Sequence, residues 1–213
     1  MLEPPIDPML AKLSDTIPQD ADWLYEPKWD GFRCIVYFDG TGVYLQSRDR
    51  KGLNRYFPEV EAGLTAALPE PCVLDGEIVI MGPNGLEFDT LQQRIHPAES
   101  RVQKLSVETP AVFVAFDLLG EGDADLRPVH FWERHRRLQA VAGGRPSPLF
   151  VTPATTDSSV AQDWFDRFEG AGFDGVIAKR LTDTYQPGKR VMLKIKHLRT
   201  ADVVVAGFRL GKD

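Results

Sequence analysis

Cysteine is scarce in this chain: Cys34 and Cys72 are the only two in 213 residues, and they form no Cys-x-x-Cys spacing. That excludes a disulfide scaffold or a thiolate metal framework and points to a reduced, intracellular protein. Basic residues are in deficit, 25 Lys and Arg against 31 Asp and Glu, for a formal net charge of −6. A generally basic nucleic-acid coat is thereby excluded, whereas a local basic cleft on an acidic body is not. No apolar stretch approaches the length needed to cross a bilayer. Residues 1–8 carry Glu3 and the prolines Pro4, Pro5 and Pro8 where a signal peptide needs a basic start and a long apolar run. Internal repeats and low-complexity tracts are missing as well. What is present is ordinary globular composition, 43% hydrophobic and 26% charged, in a chain long enough to bury a sizeable core.

The pattern of residues is one of many short strands with a few helices between them. Residues up to about Pro18 read as an extended arm, because prolines remove backbone donors and block helix. Phe32–Phe38 and Gly42–Ser47 are β-rich runs joined through Asp39-Gly40, a strong hairpin signal. Phe57, Val60, Leu64 and Leu68 recur at helical spacing, with Pro58 suited to a first turn. Cys72–Met81 is an apolar strand carrying Asp75-Gly76-Glu77, and buried carboxylates are costly without partners or ligands. Gly82–Gly85 closes it as a turn. Asp89 is placed to cap a helix through Leu91 to Ile95. Ala111–Leu119 reads as a central strand, Pro128–Val141 as a helix, Leu149–Thr152 as a strand, and a helix starts at Asp157 or Ser158 and ends at Gly170 and Gly172. Phe173–Lys179 and Arg190–His197 return to strand, the latter with Lys194 and Lys196 on one face. Asp202–Phe208 begins one strand more. The expected fold is α+β with largely antiparallel sheets flanked by helices.

The chemistry concentrates around Glu26-Pro27-Lys28-Trp29-Asp30-Gly31, which sets one lysine between apolar strand material and a charged turn. A lysine is a poor nucleophile while protonated, and burial or neighbouring cations free its amine for attack. Downstream come Arg33, Ser47-Arg48, Asp75-Gly76-Glu77, Val114-Ala115-Phe116-Asp117, Asp174-Gly175-Val176-Ile177-Ala178-Lys179 and Lys194-Ile195-Lys196. Over nearly its whole length, and in the order and approximate spacing of these segments, the chain resembles the covalent nucleotidyltransferases. It is most similar to the adenylation domain of ATP-dependent DNA ligases, both the small bacterial enzymes and the ligase module of bacterial end-joining proteins.

The resemblance implies an ATP-grasp-like adenylation domain in which Lys28 attacks the α-phosphate of ATP and holds AMP through a phosphoamide bond. It also implies that Glu26 reads the amino edge of adenine, that Arg33 contacts the sugar or phosphates, and that Arg48 holds the ribose or the 5′-phosphate of the nick. Glu77 would bind the ribose hydroxyl and a Mg²⁺ ion, with Asp75 in a supporting role. Phe116 and Ile177 would cover opposite faces of the base. Asp174 stands where many relatives have glutamate, so its reach to Mg²⁺ is one methylene shorter and a water-mediated contact is favoured. Lys194 and Lys196 would neutralise the phosphates and depress the pKa of Lys28. Lys179 and Arg180 are left between that field and a DNA contact.

Further expectations follow from the same likeness. Residues 1–20 are an N-terminal arm, 21–200 the adenylation domain, and 201–213 the start of an OB-fold domain or the linker to it, so that nick sealing by this chain alone is weak. The expected partners are ATP with Mg²⁺, nicked double-stranded DNA, that OB-fold domain and end-joining repair proteins, in the bacterial cytoplasm at the nucleoid and with no membrane. An RNA ligase, an mRNA-capping guanylyltransferase, or a binding module that has lost catalysis would share the lysine motif, and choice of nucleotide separates them.

Overall fold

The fold is organised by two facing β-sheets. In the computed structural model, which describes residues 1–167, 173–196 and Gly207, the larger sheet is built from β3 (Phe32–Phe38), β4 (Val43–Ser47), β5 (Cys72–Val79), β8 (Val112–Glu121) and β10 (Leu149–Val151). Its order is β10-β8-β5-β3-β4, with β9 (Ala124–Asp125) attached to β8, and only β10 runs parallel to its neighbour. The smaller sheet joins β1 (Leu10–Leu13), β2 (Trp23–Pro27), β11 (Val176–Arg180) and β12 (Arg190–Ile195) in the order β1-β12-β11-β2. Here β1 lies parallel to β12 and the other pairs are antiparallel. The fold is thus α+β with largely antiparallel sheets.

Helices cover the outer faces. Against the larger sheet pack α1 (Pro58–Ala67) and α4 (Phe131–Ala142), and the core there joins Val60, Leu64 and Leu138 to Val36, Leu45, Leu74 and Phe113. Against the smaller sheet packs α5 (Ser158–Arg167), whose Ala161 meets Tyr25, Val176 and Ala178. A third cluster lies between the sheets, with Ile6, Met9, Ile35, Tyr37, Val73, Leu119, Tyr185 and Met192. Burial of this apolar surface is the main favourable contribution to folding.

Several expectations shift in detail. The N-terminal residues, expected as an extended arm, are packed onto the fold: Ile6, Met9 and Ile17 are buried, and Leu10–Leu13 supply an edge strand to a partner far away in sequence. Asp89 does not cap its helix. The residue preceding α2 (Phe88–Gln92) is Glu87, and Asp89 sits in the first turn, where a carboxylate still favours the helix dipole. A helix that periodicity does not announce, α3 (Glu99–Glu108), buries only Val102 and Ser106. Between β5 and α2, the short strands β6 (Met81–Gly82) and β7 (Gly85–Leu86) form the expected turn. The glycines expected to end α5 and the strand expected at 202–208 lie outside the described residues, apart from Gly207.

Candidate active site

Lys28 follows directly on β2, and backbone bonds hold it there. Its N–H donates to the Gly175 carbonyl at 2.8 Å, and its own carbonyl accepts from Asp174 N–H at 3.2 Å. Gly175 has φ +129°, and a Cβ at that position would run into the Ile195 carbonyl, so only glycine lets the segment before β11 come this close. Gly31 is needed for a similar reason, since a Cβ there would meet the backbone of Ile78 and the side chain of Glu77. Trp29 between them is fixed by its indole N–H, which donates to Thr152 Oγ1 at 2.9 Å, and by edge contact with Phe173. The motif around the lysine is therefore a set of backbone constraints that aim one amine.

The amine lines a cleft of about 210 Å³ between the two sheets, together with Glu26, Arg33, Arg48, Glu77, Phe116, Ile177 and Lys194. Strand register explains why these residues meet. Glu26, Ile177 and Lys194 are directly opposite one another across β2, β11 and β12, so they share the inner face of the smaller sheet. From the larger sheet, Arg33 and Glu77 are paired across β3 and β5. Phe116 enters through an irregularity: Asp75 pairs with Asp117 and Gly76 with Ala115, leaving Phe116 as the extra residue on β8. A bulge of this kind re-aims one side chain. Phe116 consequently faces the cleft, while Phe113 packs in the outer core. Phe116 and Ile177 thus stand on opposite sheets, as a pair of walls for a flat ring requires.

The polar groups divide into those already committed and those left open. Arg33 is held bidentately by Asp75, both contacts 2.6 Å, and its guanidinium lies 4.5 Å from the centre of the Phe116 ring. Asp75 also accepts from Tyr185 Oη at 2.7 Å, so it supports the arginine from beneath. Glu77 is different. No group among the described residues donates a hydrogen bond to its carboxylate, and burial pushes its pKa up to about 7 although Arg33 and Lys28 draw it down. An acid held in that state in a cleft is characteristic of a functional site. Lys28 Nζ is ion-paired with Asp174 at 2.8 Å.

Two expected residues do not line the cleft: Asp174 reaches it only through Lys28, and Lys196 lies just past the end of β12. Arg48 does line it and is exposed at the end of β4. The sequence left Lys179 undecided, and the structure buries it. Its ammonium is 2.8 Å from Glu26 and donates to the Phe116 carbonyl at 2.9 Å. The available signal was its position two residues after Ile177, which puts both on one face of β11. Arg180, on the other face, is stacked 4.2 Å from the Trp23 ring and paired with Asp20.

Residues 8–196 match the family model described as ATP dependent DNA ligase domain. The chain belongs to that family. It is 58% identical to DNA ligase C of Mycobacterium tuberculosis over 99% of this chain and 59% of that protein, and 54% identical to DNA ligase C2 of Mycolicibacterium smegmatis with the same coverage. Among solved structures, the ligase domain of M. tuberculosis LigD superposes with a TM-score of 0.72 at 30% identity, covering 90% of this chain and 60% of that one. The chain therefore spans about three fifths of the length of these relatives.

Proposed function

We propose that this domain charges itself with AMP on Lys28 and passes the AMP to the 5′-phosphate of nicked duplex DNA. The observation that carries the reading is the placement of the Lys28 amine in a cleft with an aromatic wall, an aliphatic wall and an unpartnered acid. In the first step Lys28 Nζ attacks the α-phosphorus of ATP. The new P–N bond replaces the bond to the β-phosphate oxygen, and pyrophosphate leaves with its electron pair. The lysine must first give up a proton, and Asp174 Oδ2, in contact with Nζ at 2.8 Å, is the acceptor at hand. Phe116 and Ile177 sandwich the base, Glu26 faces its amino edge, and Arg48 lies where a sugar or phosphate contact is open. Lys194, with Lys196 farther out along the same strand direction, opposes the charge that builds as pyrophosphate departs. In the second step a 5′-phosphate oxygen takes AMP from Lys28, and in the third the adjacent 3′-hydroxyl expels AMP and closes the strand.

The donor set fits Mg²⁺. This ion favours one or two carboxylates together with phosphate oxygens and water, and Glu77 offers a carboxylate without a donor while Asp174 retains an oxygen beyond its ion pair. No group of three or more acidic, His or Cys side chains gathers among the described residues, so the remaining ligands would come from the triphosphate and solvent. When bound, the ion supplies neutralisation of triphosphate charge.

The likeness to LigD, a protein named for non-homologous end joining and 31% identical over 96% of this chain and 26% of its own length in Mycobacterium tuberculosis, supports repair of broken DNA as the setting, and the bacterial cytoplasm at the nucleoid is the location proposed with it. Among the described residues no helix is long and apolar enough to cross a membrane. End-joining proteins and an OB-fold domain are the partners this setting calls for. To test the reading, the domain is charged with ATP labelled at the α-phosphate, freed of nucleotide and mixed with a nicked duplex. Label should move from protein to the 5′-phosphate strand. Movement to a nicked RNA instead, or charging by GTP in preference to ATP, would overturn it.

A further inference from the structure

The reaction steps above assign nothing to the N-terminal segment, yet Pro8, Leu10 and Ala11 line the cleft. That segment crosses from one sheet to the other. At one end it is seated on β3 and β4: Ile6 N–H donates to Tyr37 Oη and Gln46 Oε1, both at 3.0 Å, and the Ile6 carbonyl accepts from Gln46 Nε2 at 2.7 Å. At the other end Leu10–Leu13 run beside β12. Met9 stands between them, buried, and both of its backbone polar groups enter one closed circuit. Its N–H donates to Tyr185 Oη at 2.9 Å, and Tyr185 Oη donates to Asp75 Oδ2 at 2.7 Å. Asp75 accepts from Arg33 Nε and Nη2, each at 2.6 Å, and Arg33 Nη2 donates back to the Met9 carbonyl at 3.2 Å. Among the described residues no acceptor takes a hydrogen bond from the remaining nitrogen, Arg33 Nη1.

We propose that Tyr185 is a positioning residue for nucleotide binding: its hydroxyl couples the seating of residues 6–13 to the aim of the Arg33 guanidinium, so that the cleft is complete only with this segment in place. The inference rests on the reading of this cleft as the nucleotide site. Tyr185 lies in the connection between β11 and β12, and its own N–H donates to the Arg127 carbonyl at 2.9 Å, so its backbone is anchored independently of the N-terminal segment. A phenol hydroxyl donates one hydrogen bond and accepts others, and here it does both. Burial, and next the Asp75 charge, raise its pKa well above that of an ordinary phenol, so the proton given to Asp75 stays on the tyrosine. Without the hydroxyl, Met9 N–H is a buried donor left unpaired, which is costly, and the segment is loosened where it crosses Arg33. The Met9 carbonyl then no longer fixes Arg33 Nη2, and the guanidinium that lines the cleft loses one of its two supports. Such coupling is reciprocal: a nucleotide that engages Arg33 holds the segment down by the factor through which the seated segment raises nucleotide affinity.

The test compares self-charging with α-labelled ATP in the wild type, Tyr185→Phe and Tyr37→Phe. Tyr37→Phe removes a buried hydroxyl from the same cluster between the sheets, but it leaves Ile6 N–H on Gln46 and does not touch Asp75, so it reports the structural loss alone. The expected result for Tyr185→Phe is a KM for ATP raised about ten-fold, the size of one hydrogen bond to a charged group, with a smaller change in kcat. Tyr37→Phe should keep the wild-type KM, even where both variants melt lower. An unchanged KM in Tyr185→Phe, or an equal rise in Tyr37→Phe, would overturn the proposal. Amide hydrogen exchange on the nucleotide-free wild type gives a second readout, which stands even if Tyr185→Phe does not fold. Adding α,β-methylene-ATP, which cannot lose pyrophosphate, should slow exchange at residues 6–13 about ten-fold, matching the KM effect by linkage. Exchange there that ignores the bound analogue would overturn the coupling. A wild type that neither binds the analogue nor charges with ATP would instead overturn the reading of the cleft, which distinguishes the two failures.

Discussion

Replacing Glu77 with glutamine should stabilise the protein at alkaline pH while disabling it. An acid whose pKa rises from an ordinary 4.5 to about 7 on folding costs about 3 kcal/mol of stability at a pH above both values, at about 1.4 kcal/mol per pH unit. Because the side chain keeps part of its surface in the cleft, about 2 kcal/mol is the working figure after discounting for solvent. The sign follows from proton counting. Between pH 4.5 and about 7 the folded protein holds the Glu77 proton and the unfolded chain has released it, so the Glu77 contribution to stability is present below this window and is lost as pH rises through it. Glu77→Gln removes the loss. For a chain of this size 2 kcal/mol corresponds to a gain of about 4–8 °C in melting temperature. The assay is thermal melting of both proteins at pH 5 and pH 8, together with charging by labelled ATP. The variant should melt higher than the wild type at pH 8, nearly with it at pH 5, and charge poorly at both. An equal difference at the two pH values, or a lower melting temperature at pH 8, would refute the idea that Glu77 is an acid stored at a cost for ligand binding.

Other perturbations probe the supports of the site. Gly175→Ala forces a Cβ against the Ile195 carbonyl at φ +129°, which should cost about 2–4 kcal/mol in urea unfolding and slow charging about 100-fold through displacement of Lys28; a variant that charges at the wild-type rate would show the Lys28–Gly175 backbone pairing to be dispensable. Arg134→Met strips the two 2.8 Å contacts from buried Asp117 and should cost about 3–5 kcal/mol by the same measurement. Adding Asp117→Leu should recover most of that, because the loss comes from an unpaired charge rather than from missing bulk.

Part of the candidate site's geometry was legible in the sequence because those parts are local. The Lys28 motif, the alternation that puts Glu26 beside Lys28, and the Ile177 and Lys194 strands each depend on spacing of two residues along a strand. The hairpin at Asp39-Gly40 was readable for the same reason, and Gly40 does adopt φ +94°. What escaped depends on pairing between distant segments. Commitment of Arg33 to Asp75 follows from the β3–β5 register, and burial of Lys179 from the approach of β8 to β11 across the sheets. The bulge that turns Phe116 into the cleft exists only relative to β5. The edge strand at Leu10–Leu13 has its partner near residue 190, and no local pattern announces that. Helix α3 escaped for the opposite reason, since it is mostly polar and buries only Val102 and Ser106.

The central claim, that Lys28 is the group that becomes charged, is tested most directly by intact-mass measurement of the protein after incubation with ATP and Mg²⁺. The account predicts one added AMP on the wild type and none on Lys28→Ala. An adduct of equal yield on the alanine variant, or a wild type that never gains the mass, would contradict it.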